Sequence, residues 1–202
     1  MRDFHTAGFA RVCGFCAEVP SRKLRIQAES LSSLLDEVLM LDFMPKYDLP
    51  KFKRAGERSK AAILASILAA AEAGMSPLSG KTAVVGAGRD GSHPENLLYW
   101  TDYVQNGRSG GRGHLFVGTL PSTPPCETAI ALNVHGPSCY IDTLGDGTRI
   151  ALEIDSLFDD PELETVLLLL CDGMSTDAYC LVRGRMAPDD PFHSIQSRNG
   201  DS

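Results

Sequence analysis

The run Thr165–Cys171 (TVLLLLC) sets the tightest limit on the fold. Its apolar side chains sit on consecutive residues, not alternate ones. A strand projects successive side chains to opposite faces, so a strand with this run has to be covered on both. The run is far shorter than the roughly 20 residues of a membrane-spanning helix. A sheet with helices on both sides satisfies it. A chain of 202 residues is long enough to build such a fold as one domain with a good hydrophobic core.

The rest of the chain supplies the elements. Ala7–Ala17 (AGFARVCGFCA) alternates loosely and predicts a first strand. In Ala28–Leu41 the residues Leu31, Leu34, Leu35, Val38 and Leu39 recur at helical spacing, which predicts an amphipathic helix opened by Ser30 or Glu29. Arg58–Gly74 (RSKAAILASILAAAEAG) is rich in Ala and Leu and stops at Gly74. It is apolar nearly all round, so it predicts a helix covered on more than one side. Lys81–Val85 predicts a short strand, Pro94–Gln105 a helix, and Thr123 or Pro124 to His135 another. Ser138–Thr143 reads as a strand and Gly147–Leu157 as a helix. Ala178–Arg183 is a last strand, pairing as a hairpin with the apolar run before it. From Met186 the residues are largely Pro, Asp, Ser and Gly, which predicts a domain over 1–185 and a loose tail over 186–202. The alternation implies an α/β layered fold: one mainly parallel five-stranded sheet, its last strand antiparallel, with helices on both faces.

A net charge of −7 excludes a general nucleic-acid binder, which needs a basic face. The six cysteines lack paired metal spacings, and the one CxxC, Cys13–Cys16, falls in the first predicted strand. Alternation there puts the two thiols on opposite faces, which suits neither a metal nor a disulfide. Buried free thiols in a reducing cytoplasm are the expectation, with no signal peptide and no membrane span. The segment Met44–Lys60 carries Lys46, Lys51, Lys53, Arg54, Arg58 and Lys60 against only Asp48 and Glu57. It is either a solvated loop or a face for an acidic partner. Gly86–Gly91 fits GxGxxG, but the position of the required acid, about 20 residues on, falls in the glycine-rich Gly107–Gly113. These glycines are therefore expected to form a flexible strand-to-helix connection. His135, at a helix end, is expected to act as a cap and not as a base. His193 is expected in solvent.

One stretch, Ala129–Asp146 (AIALNVHGPSCYIDTLGD), has the layout of a nucleophile turn: a helix end, a Gly136–Pro137 break, a strand, and a turn into the next helix. Backbone N–H groups and the helix dipole converge at such a turn. Yet Leu144, Gly145, Asp146 and Gly147 offer no nucleophile, and Asp146 suits helix capping.

Over Ala7–Arg183 the sequence resembles the N-terminal half of a β-ketoacyl synthase, of the thiolase-like fold. The similarity is best over Arg54–Gly74 and Gly118–Leu144. It rests on the Ala-rich helix RAGERSKAAILASILAAAEAG, the strand AVVGAG, and AIALNVHGP followed by SCYIDT. The resemblance places the family's nucleophilic Cys at Gly145, and the family's second half, with its paired histidines, is expected to be missing. It implies no catalytic residue, no cofactor and no metal. It points to Cys-less, half-length chain length factor subunits. Such a subunit pairs with a full-length β-ketoacyl synthase and shapes its acyl tunnel in polyene, fatty-acid or polyketide synthesis. The implied pairing strand is Ser138, Cys139, Tyr140, Ile141, Asp142 and Thr143. Two alternatives stand beside it. One is a stand-alone homodimer that binds acyl chains or acyl carrier protein, the latter through Lys46–Lys60. The other is an enzyme using the thiol of Cys126 or Cys139.

Overall fold

The computed structural model describes residues 4–107, 110, 112–142 and 146–196. The strands are β1 (Phe4–Cys13), β2 (Cys16–Val19), β3 (Leu24–Gln27), β4 (Thr82–Gly88), β5 (Ser138–Asp142), β6 (Thr165–Asp172) and β7 (Ser175–Arg183). The helices are α1 (Leu31–Leu39), α2 (Glu57–Glu72), α3 (His93–Asn106), α4 (Gly113–Gly118), α5 (Thr123–Leu132), α6 (Gly147–Leu157) and α7 (His193–Gln196). The strands form one sheet in the order β3-β2-β1-β7-β6-β4-β5.

The sheet thus has seven strands, not the five expected, and it is mixed. The two parallel pairings are those of β4 with β5 and with β6; the other four are antiparallel. The correction comes from the N-terminus. Ala7–Ala17 is not one strand: Gly14, at φ 56°, turns the chain back at Gly14–Phe15, and a second short turn at Pro20–Arg22 adds β3. Connections this short join antiparallel strands only. Cys13 and Cys16 consequently face one another across the β1–β2 hairpin. Both thiols are free, Cys13 exposed and Cys16 buried.

Both faces of the sheet are covered, as the TVLLLLC run requires. On β6, Leu167, Leu169 and Cys171 face a core built with α1, α2 and α5. Val166 and Leu168 face a second core with Ile150, Ala151 and Ile154 of α6 and Ile195 of α7. The same alternation runs along β7, with Ala178 and Cys180 on the first side and Tyr179 and Leu181 on the second. In the first core α2 lies against the sheet with thirteen buried residues. Ser30 caps α1 through a reciprocal bond with Ser33, which satisfies orphan N–H groups of the first turn.

Of the stretch expected as a loose tail, residues 187–195 pack onto the domain, while 197–202 lie outside the described residues. Asp190 accepts from the Thr6 backbone N–H at 2.8 Å and from its hydroxyl at 2.5 Å. Phe192 is fully buried, edge-on to Phe4 with ring centroids 5.1 Å apart, and Ile195 is buried beside it. Two apolar residues three apart among polar ones are enough to dock one helical turn, but too few to mark it by periodicity. His193 lies on that turn, exposed, its Nε2 3.1 Å from the Ala187 carbonyl. No helix among the described residues is long and apolar enough to cross a membrane.

Candidate functional site

The site is built around β5, which the chain reaches through a close backbone approach. Helix α5 ends at Asn133, in the left-handed conformation with φ 53°. His135, expected as the cap, lies exposed beyond it. Next comes Gly136, where any Cβ would run into the Thr82 carbonyl of β4, so only glycine fits. Pro137 then accepts from the Val84 N–H at 2.9 Å, and β5 runs parallel to β4 from Val84↔Ser138 to Gly88↔Asp142.

Bonding groups alternate along a parallel strand, so residues 137, 139 and 141 address β4. The backbone groups of Ser138, Tyr140 and Asp142 address the outer edge. That edge meets no strand among the described residues. Cys139 and Ile141 pack against the second core. Tyr140 lies half-buried with its hydroxyl donating to the Gly88 carbonyl at 3.0 Å. The two sheet edges differ in chemistry. At the other edge, β3 carries Arg25, paired with Glu18 of β2 at 3.4 Å, the kind of charge that discourages edge-to-edge pairing. The sequence of β5, SCYID, has no basic residue. Of the predicted pairing residues, Thr143 lies outside the described residues, as do Leu144 and Gly145, the position where the resemblance expects a nucleophile. Past them, Asp146 caps α6 as expected, accepting from the Thr148 and Arg149 N–H groups at 2.9 and 3.3 Å.

The environment of Cys139 works against a thiolate there. Burial pushes the Cys139 thiol up, and the nearby Glu153 and Cys126 push it the same way. Cys126 Sγ lies 3.6 Å from the Ser138 hydroxyl. Cys171, wholly buried, is also raised by burial, and Cys180 is pushed up to about 12 by burial and then by Glu72. An attacking thiolate needs the opposite, a lowered pKa.

Two sequence features change meaning. Gly86 and Gly88 lie inside β4 and form no flexible connection: a Cβ at Gly86 would sit 2.9 Å from Pro125, and one at Gly88 would meet the Cys171 carbonyl. Arg58, counted above in a basic loop, is buried. It donates to the Gly91 carbonyl and, at 3.2 Å, to the Cys171 carbonyl, and it pairs with Glu95 at 3.4 Å. Lys60 pairs with Glu57 at 2.7 Å. The exposed cations of that loop are then Lys46, Lys51, Lys53 and Arg54. Beside Lys51 opens a cavity of about 340 Å³, walled by Leu49, Phe52, Ile63 and Ile130 among others.

The surface of α3 and α4 carries no local signal in the sequence. Leu97, Leu98, Trp100, Val104, Phe116 and Val117 are all exposed. Among the described residues no other element lies over them, which follows from topology and not from local sequence.

No protein-family model matches the sequence, and no curated protein matches it. Solved structures do match the fold. One is a ketosynthase in complex with its chain length factor from Xenorhabdus doucetiae, at a TM-score of 0.59 and 10% identity, covering 91% of this chain and 80% of that one. The ishigamide ketosynthase/chain length factor aligns at a TM-score of 0.58 and 13% identity over 94% of this chain and 64% of that one. A β-ketoacyl synthase from Burkholderia phymatum STM815 aligns at 0.56 and 12% identity over 100% of this chain and 62% of that one. The chain therefore spans a little under two-thirds of the length of the last two. Its fold is the thiolase-like fold of ketosynthases and chain length factors.

Proposed function

We propose that this chain is a non-catalytic, ketosynthase-like subunit of the chain length factor kind. It pairs with an active β-ketoacyl synthase and shapes that enzyme's acyl tunnel. The observation that carries the proposal is β5: an edge strand without basic residues, with the backbone groups of Ser138 and Tyr140 turned to its outer edge, which meets no strand among the described residues. Pairing of two subunits across this edge joins their sheets and satisfies an edge otherwise prone to unspecific association. The fold neighbours described as a ketosynthase with its chain length factor support the same reading. Its non-catalytic part rests on the sequence, which has Gly145 where the resemblance expects Cys. Co-expression with a neighbouring ketosynthase is expected to give a pair that co-elutes at micromolar concentration. Separate elution refutes the pairing. Restoring the nucleophile by Gly145→Cys, in the chain alone, is expected to give no condensation; condensation by that variant refutes the non-catalytic assignment.

The cavity beside Lys51 supports a second reading, a stand-alone homodimer that holds acyl chains or acyl carrier protein without chemistry. It is walled mainly by apolar side chains, with Lys51, Asp48 and Glu127 also in its wall, and the exposed Lys46, Lys51, Lys53 and Arg54 of the same loop are suited to an acidic carrier. Native mass spectrometry of the purified chain for bound lipid, with a carrier-protein titration, tests it. A lipid-free chain that ignores carrier protein removes it.

A further inference from the structure

The exposed apolar side chains are not spread evenly. Seven of the twelve large ones among the described residues are Leu97, Leu98, Trp100, Val104, Phe116, Val117 and Leu120, within and just after α3 and α4. Helix α3 has no buried residue at all. Its inner side is occupied: Tyr99 and Tyr103 stack at 6.4 Å, Phe116 of α4 lies edge-on to Tyr99 at 6.1 Å, and Arg112 sits over Tyr103. Its outer side presents Leu97, Trp100 and Val104, at i, i+3 and i+7, as one stripe. A contiguous apolar surface of this kind marks a binding face.

We infer that this stripe is the seat of the same ketosynthase subunit that extends the sheet at β5, an assignment that rests on the heterodimer reading above. Two observations select that occupant. The first is continuity. Helix α3 starts five residues after the end of β4, and the last residue of β4, Gly88, is paired with Asp142 at the end of β5. Arg58 fastens this root by bonding Gly91 and Glu95. A subunit docked along β5 therefore meets the base of α3. The second is charge. Among the described residues of α3 and α4, the charged groups are paired within the chain: Glu95 with Arg58, and Asp102 with Arg112. A bilayer surface is recognised by a helix with Lys and Arg on its polar face, which this helix lacks. A paired, apolar, aromatic-bearing surface fits the fully desolvated centre of a protein–protein interface, where Trp is enriched among residues that dominate affinity.

Trp100 is the single tryptophan of the chain, so 5-fluorotryptophan labelling gives one ¹⁹F resonance at the proposed seat. On adding the unlabelled neighbouring ketosynthase, the resonance is expected to shift and to lose its H₂O/D₂O solvent-isotope sensitivity. Leu97→Glu, on the stripe and exposed, is expected to weaken the pair at least 100-fold, while the isolated variant keeps its circular dichroism and melting temperature. A pair that forms with a solvent-sensitive Trp100, and survives Leu97→Glu, overturns the assignment of the α3 stripe and leaves the β5 pairing intact. Absence of any pair overturns the heterodimer reading and the occupant with it. Desolvation of Trp100 by raising the concentration of this chain alone, or by phosphatidylglycerol vesicles, overturns the choice of occupant in favour of a second copy or a membrane.

Discussion

Helices α2 and α3 are nearly equal in length, sixteen and fourteen residues, and both carry abundant apolar side chains, yet α2 buries thirteen of its residues and α3 none. The difference lies in what surrounds them. Around α2 lie β1, β7 and α5, with α1 at its side. Its alanines let those neighbours approach closely, so its apolar surface is covered by the chain itself. Helix α3 leaves the sheet at the end of β4, and its main neighbour is the six-residue α4. Its apolar residues are large and aromatic, suited to an interface. The contrast teaches that apolar content reports a need for cover, while topology decides whether the chain or a partner meets it.

The strongest way to break this contrast is to truncate one side chain on each helix. Leu64, fully buried on α2, is expected to cost about 2–5 kcal/mol as Leu64→Ala, the range for buried leucines. Leu98→Ala on α3 is expected to leave the isolated chain within about 0.5 kcal/mol of the parent, as surface changes do. Urea unfolding of both variants checks the pair; equal losses would mean that α3 is packed in solution. Proline scanning of β5 sharpens the contrast between core and interface next. Ile141→Pro removes a donor that addresses β4, so it is expected to weaken the chain itself as well as its pairing. Tyr140→Pro removes an outward donor, so it is expected to impair pairing while lowering the chain's own stability less. Tyr140→Phe, lacking only the hydroxyl that bonds Gly88, controls for the side chain. If Ile141→Pro and Tyr140→Pro weaken pairing without a difference in chain stability, the assigned strand polarity is wrong.

The layered fold was legible because its central elements carry strong patterns. TVLLLLC gave a doubly covered strand, and α2 and α6 lie within one or two residues of the predicted spans. The N-terminal hairpins were missed because AGFARVCGFCA alternates through a turn that one glycine makes possible. The docked segment around Phe192 was missed because two anchors make no period. At the site, the sequence named Ser138–Thr143 as the candidate pairing strand, and the structure adds the position of β5 at the sheet edge and the direction of its backbone groups. It did not point to the exposed face of α3, since exposure depends on elements far away in the chain. Arg58 was misjudged for a related reason: nothing local distinguishes an arginine aimed at Cys171, more than a hundred residues on, from its solvated neighbours.

The cysteines carry the same contrast between covered and open surface at a smaller amplitude. Cys180, on β7 in the core that holds α2, has its thiol pushed up to about 12, chiefly by burial. Cys13, at the tip of the first hairpin, is exposed. Iodoacetamide attacks thiolates, so at neutral pH Cys13 is expected to label in the native chain and Cys180 only after unfolding, as read by peptide mapping. The linked stability has a defined sign. An unfolded Cys180 ionises near 8.5, whereas the folded one holds its proton to about 12. The native state therefore binds the extra proton between those values, and stability is full below the lower one and falls as pH rises toward the higher. Cys180→Ala is expected to flatten that alkaline decline, at the cost of a small cavity. A decline of unchanged slope in Cys180→Ala would assign it to other groups, and rapid native labelling of Cys180 would mean that the α2 face of the sheet opens far more readily than its packing implies.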